Sequence, residues 1–125
     1  MQTRDKFDSA LRSIKMTAAE SSRSPVAIID VGTRLDYRAA ERMKRRFKQF
    51  AADGRHRHIV DLSQTSALDS AGLAGLISAL RAVRDNGGSV DLVVTAGNVT
   101  RILELTSVTR AFKVHPSLQE ALAAV

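Results

Sequence analysis

The sequence predicts an α/β domain built on a mostly parallel sheet. Three observations predict it. Apolar, β-branched runs (VAIIDV, HIVDL and VDLVVT) recur along the chain. Between them lie amphipathic stretches whose apolar residues step by three and four. Strands that alternate with helices imply parallel neighbours joined by crossovers. The expected sheet is mixed, mostly parallel, with four to five strands covered by about four helices. At 125 residues the chain is the size of one ordinary domain.

The elements follow in order. Residues 1–11 are polar and read as an N-terminal tail, with residues 12–125 as the domain. Residues 12–18 place Ile14, Met16 and Ala18 at alternate positions, which suits a half-buried strand running against the others. The spacing of Phe7, Leu11 and Ile14 suits a helix equally well. Ala19 to Pro25 is rich in Ser and reads as a turn. Val26 to Val31 reads as a buried strand. Asp36 stands where a helix can begin, and Ala40, Met43, Phe47 and Phe50 share one face of that helix. Gly54 is its expected stop.

His58 to Leu62 is the next strand, and Ser63 to Leu68 reads as a loop. Asp69 and Ser70 are both good caps for a helix carrying Leu73, Leu76, Ile77, Leu80 and Val83 inward. That helix ends at Asn86-Gly87-Gly88. Val90 to Thr95 is a strand, and Asn98 is expected to cap a short helix through Val99, Ile102, Leu103 and Leu105. Phe112 to Val114 suits a last short strand. Pro116 fits the first turn of a final helix with Leu118, Ala121, Leu122 and Val125 inside.

Composition narrows the function classes. Hydrophobic residues make up 44%, enough for a packed core. There is no cysteine, so a disulfide scaffold and a thiolate metal site are excluded. No apolar run approaches the roughly 20 residues needed to span a bilayer. The N-terminal residues lack the apolar stretch of a signal peptide. A cytoplasmic protein without membrane insertion is therefore expected. The net charge is +6, but residues 1–58 hold 14 basic and 7 acidic side chains while residues 59–125 hold 5 and 6. The basicity belongs to one part of the molecule.

Residues 58–77, HIVDLSQTSALDSAGLAGLI, carry the strongest signal. A strand ending in Asp61-Leu62 leads through a short polar loop to Asp69-Ser70-Ala71-Gly72-Leu73, which opens a helix. Leu35-Asp36 precedes the first helix, Asn86-Gly87-Gly88 precedes the next strand, and Val99 to Leu105 forms the short helix after it. In this ordered set the chain resembles the STAS domain family, specifically its bacterial anti-sigma factor antagonists. The resemblance covers about residues 12–125. It departs from the family in two places. Gly32 stands one position earlier than the usual Gly-x-Leu-Asp, and Ser107 occupies the place of a Gly after the short helix.

The resemblance implies a binding switch and no enzyme activity. Ser70 would be the phosphoacceptor, modified by a Ser/Thr kinase-type anti-sigma factor and reset by a protein phosphatase. Asp36, Gln64, Thr65, Ser66, Asp69, Ala71 and Gly72 would line the contact surface. No cofactor is implied, and the oligomeric state is left open. The alternative is a STAS regulatory subunit of a transporter or stress-sensing complex.

The physics of the position supports a switch independently. A helix N-terminus offers unpaired N–H groups and favours negative charge. A phosphate adds about −1.5 to −2 charges there. Asp69 opposes it, so an interface made by the neutral form would meet repulsion. The bland reading is that Asp69-Ser70 is only a cap.

Other constellations are weaker. Ser70 lacks the G-x-S-x-G context of a hydrolase, and none of His56, His58 and His115 has a clear claim to stand beside it. His56 and His58 would share a face of a strand, and read better as two exposed residues at its start than as a metal site. Gly72 and Gly75 are too sparse for a nucleotide loop, and Gly75 is expected to permit close helix-to-sheet contact. Arg42 to Lys48 is a basic run within helix 38–50. A solvated face is its first reading, an acidic protein or membrane surface its second, and nucleic acid its last.

Overall fold

The computed structural model describes residues 26–95, 97–106 and 108–125. Its strands are β1 (Val26–Asp30), β2 (Arg34–Leu35), β3 (Arg57–Asp61), β4 (Ala67–Leu68), β5 (Ser89–Val93) and β6 (Lys113–His115). Its helices are α1 (Tyr37–Ala52), α2 (Ser70–Asp85), α3 (Asn98–Leu105), α4 (Val108–Ala111) and α5 (Leu118–Ala124). The expected strand at 12–18, the turn at 19–25 and Ser107 lie outside the described residues.

β1, β3, β5 and β6 form a parallel sheet in that order. Each crossover steps one strand further in the same direction. Right-handed connections then put every intervening helix on one face. The burial agrees: Met43 and Phe47 of α1, Leu76 and Leu80 of α2, and Val99 and Leu103 of α3 join one core with Ile29, Val60 and Leu92. α5 follows the last strand and covers the other face, where Ala121 meets Val26, Ile59 and Val93.

The register explains which strand residues face which layer. Ile28, Ile59, Asp91 and Lys113 stand in one row across the sheet, on the α5 side. Asp91 is buried there and meets His115 Nε2 at 2.7 Å. Ala27, His58 and Val90 stand in the neighbouring row, on the α1 and α2 side.

That row corrects one expectation. His58 is buried, 3% exposed, with its ring edge-on to Phe47 at 4.8 Å and tilted against Phe50. His56 is exposed and precedes β3. The two do not form an exposed pair on one strand face. Among the described residues no group of three or more metal-ligating side chains occurs. No helix among them is long and apolar enough to cross a membrane.

Burial pushes His58 down from its ordinary 6.5 to about 4, with His56 and Arg55 adding repulsion. The unfolded chain therefore takes up this proton before the folded one does. Its contribution to stability is complete above about pH 6.5 and is lost as pH falls towards 4. After discounting for partial solvent screening, the loss is on the order of 1–2 kcal/mol. Urea melts between pH 7 and pH 4.5 should show a steeper decline for the native chain than for His58→Leu. Equal slopes would refute the assignment.

Helix limits follow local chemistry. Asp36 caps α1, and α1 stops at Asp53 with Gly54 at φ +80°. Asp69 caps α2, so Ser70 is its first residue. Two limits differ from expectation. Gly97 is the N-cap of α3, with Asn98 already helical. Ser117 caps α5 by accepting from Glu120 N at 3.1 Å, which leaves Pro116 outside the helix. The Ser hydroxyl accepts a bond from the helix, which Pro cannot do.

Candidate functional site

The site forms at the C-terminal ends of β1 and β3, where two loops run together. Val31 N donates to Asp61 O at 3.1 Å, Ser66 N to Thr33 O at 3.0 Å, and Asp69 N to Leu35 O at 3.2 Å. Thr65 Oγ1 donates to Gly32 O at 2.6 Å. These bonds make β2 and β4 a short parallel pair, with Leu35 beside Leu68. The segment 63–68 is therefore a loop only as far as Ser66. Two residues carry no alternation, so no periodicity could have marked either strand.

The pairing has one geometric consequence. Each short strand ends in Leu, and the Asp that comes next caps the helix that follows. Asp36 Oδ1 accepts from Ala39 N at 2.9 Å, and Asp69 Oδ1 accepts from Gly72 N at 2.7 Å. The starts of α1 and α2 are thereby held side by side. Both present helix N-termini to one surface.

Glycine permits the approach. A Cβ on Gly72 would lie 2.5 Å from the carbonyl carbon of Leu35 and 2.9 Å from Asp36 N, and would overlap Leu35 O. A Cβ on Gly75 would overlap that of Ala40 in α1. Gly75 thus serves helix-to-helix contact, and the helix-to-sheet role expected for it is corrected. The dominant contact of α2 at this end is with its neighbour helix, so the small residue is needed there.

The residues singled out from sequence divide into two groups. Gln64, Ser66, Asp69, Ser70 and Ala71 are exposed, and Asp36 is half-buried. Thr65 and Gly72 are buried, which corrects their place on the surface: they hold it from beneath. Ser70 Oγ has no hydrogen-bond partner among the described residues. Asp36 is held below its ordinary pKa, first by the Ala39 N–H bond, with Arg34 and Arg42 adding attraction. Its carboxylate therefore stays charged at neutral pH.

Sequence reasoning missed Tyr37. It is the first residue of α1 and 61% exposed. Its place after Leu35-Asp36 matches that of Ser70 after Leu68-Asp69. An aromatic immediately after a cap was the available signal, since the inward positions of this first turn fall to Ala39 and Ala40. The histidines do not gather at Ser70. His58 lies beneath Phe47 and His115 is engaged by Asp91.

Known proteins are similar to the chain in sequence and in fold. A profile of the STAS domain matches residues 17–121. A Thermotoga maritima protein provisionally named an anti-sigma factor antagonist is 29% identical over 76 residues, covering 61% of this chain and 67% of that one. A crystal structure so named from the same organism superposes at TM-score 0.71 with 27% identity, over 81% of this chain and 87% of that one.

Three further solved structures show the fold alone. Unphosphorylated SpoIIAA, an anti-sigma factor antagonist, reaches TM-score 0.60 at 15% identity, over 80% and 87% of the two chains. Bacillus SpoIIAA is also known in its phosphorylated form, at TM-score 0.62 and 16% identity, over 80% and 90%. A sulfate transporter family protein of Wolinella succinogenes reaches 0.74 at 16% identity, over 86% and 90%. With the profile spanning most of the chain and the paired Leu-Asp helix starts in place, the chain belongs to the STAS domain family.

Proposed function

We propose that the chain is an anti-sigma factor antagonist working as a phosphorylation-controlled partner switch. Ser70 is the phosphoacceptor. A Ser/Thr kinase-type anti-sigma factor binds the unphosphorylated form, and a protein phosphatase resets it. The contact surface comprises Asp36, Tyr37, Gln64, Ser66, Asp69 and Ala71, supported by Thr65 and Gly72. The role is one of binding, exercised in the cytoplasm where sigma factors act.

One observation carries the reading. Ser70 is an exposed hydroxyl at the start of α2, directly after a capping carboxylate and beside a second capped helix. A phosphate there gains the N–H groups of α2 and meets the charges of Asp69 and Asp36. It needs no refolding to act: the added charge raises the cost of desolvating a surface that docks when neutral. The names of the Thermotoga relatives and the phosphorylated form of SpoIIAA support the same reading.

Incubation with the cognate kinase-type anti-sigma factor and ATP should add one phosphate, mapped to Ser70 by mass spectrometry. Ser70→Ala should remain unmodified. Ser70→Asp should bind that partner at least about tenfold more weakly, or roughly 1.4 kcal/mol. Phosphate on another residue, or undiminished binding by Ser70→Asp, would sink the proposal. The second reading is a STAS regulatory subunit of a transporter, supported by the fold shared with the Wolinella protein. Recovery of a transporter subunit in place of an anti-sigma factor in a pull-down would favour it.

A further inference from the structure

We propose that the cavity between the C-terminal halves of α1 and α2 binds a small aromatic carboxylate bearing a second polar group. The anion would be held by Lys44 and Lys48 at the mouth, and the polar group by His58 at the floor. This site lies at the far end of both helices from Ser70. Each helix has 16 residues, a length of about 24 Å.

The cavity has a volume of about 330 Å³. Small-molecule sites span roughly 300–1,000 Å³ and are mostly apolar with a few placed polar groups. Phe47 from α1 and Ala79 and Val83 from α2 supply apolar wall. No acidic side chain lines the cavity, whereas Lys44 and Lys48 do. Lys44 meets Glu41 at 3.4 Å, but both are well exposed, and such a pair contributes little and can open.

His58 supplies the second polar contact. Its ring lines the cavity and is 3% exposed. Its Nδ1 is buried and has no hydrogen-bond partner among the described residues. A buried polar atom without a partner is costly; a small turn of the ring towards the cavity would bring Nδ1 to a ligand hydroxyl or carbonyl and remove that cost. The ring is neutral at pH 7, so Nδ1 can donate or accept according to its tautomer. The edge-on ring of Phe47 beside it suits an aromatic body over an aliphatic one.

The probe is 6-hydroxy-2-naphthoate, titrated into the isotope-labelled full chain at neutral pH and followed by amide NMR. Saturable shifts are expected at Phe47, His58, Ala79, Val83 and Gly88, with a dissociation constant below about 1 mM. Lys44→Glu with Lys48→Glu should weaken binding at least about tenfold while leaving the melting temperature near that of the native chain. 2-Naphthoate, which lacks the hydroxyl, should bind the native chain at least about threefold more weakly. His58→Phe should erase that difference. The comparison of the two ligands on the native chain stands even where this variant fails to fold. No saturable shift up to about 1 mM, shifts elsewhere, or indifference to the lysine reversals would overturn the proposal.

Discussion

Replacing Gly72 by alanine is expected to destabilise the domain by about 3 kcal/mol or more. The added Cβ would lie 2.5 Å from the carbonyl carbon of Leu35 and 2.9 Å from Asp36 N. Both are backbone atoms, so no side-chain rotation relieves the overlap. Relief requires α2 to move away from β2. That movement loosens the Asp69 N to Leu35 O bond and the β2–β4 pair. Chemical melts should show a lowered midpoint, and binding to the proposed anti-sigma factor partner should fall with it.

Gly75 provides an internal control. Its obstacle is the Ala40 side chain, which can be removed. Gly75→Ala combined with Ala40→Gly should recover part of the stability lost by Gly75→Ala alone, because the two changes share one contact. No comparable rescue exists for Gly72. A loss below about 1 kcal/mol for Gly72→Ala would show that the helix starts are not closely apposed.

Leu76→Ala is expected to cost about 2–5 kcal/mol. Leu76 is fully buried on α2, within the core shared by α1, α2 and the sheet. Its neighbours come from rigid elements on several sides, so little collapse can fill the space left behind. The cost includes lost transfer energy and the residual cavity. Domains of this size melt with a shift of about 3–6 °C per kcal/mol, so the midpoint should fall on the order of 10 °C. The urea dependence should keep its slope, which separates a loss of stability from a loss of cooperativity. A shift of only a degree or two would place Leu76 outside the core.

The site was legible to the extent that its signals are local. Asp36 and Asp69 were marked as helix starts because a short side-chain acceptor acts within three residues. Ser70 was marked by the motif around it. The short strands were not legible, since Arg34–Leu35 and Ala67–Leu68 are defined only by each other across a gap of 33 residues. The resemblance sets Thr65 on the contact surface with the rest of its loop. Its hydroxyl instead closes onto Gly32 O from beneath.

His58 shows the same limit from the other side. A polar residue opening the run HIVDL gives no sign of what will cover it. The parallel register sets it in the row of Ala27 and Val90, and α1 lays Phe47 over it.

By itself the sequence determined the alternation of strands and helices, the two capped helix starts and the family to which their motif belongs. These rest on caps, periodicity and β-branched runs, all of which act within a few residues of the chain. Only the tertiary structure decided that Leu35 and Leu68 pair, that Gly72 faces the backbone at the end of β2 and Gly75 a neighbouring helix, and that His58 lines a cavity. Those depend on which distant segments meet, and burial and close approach are properties of the meeting and not of either segment.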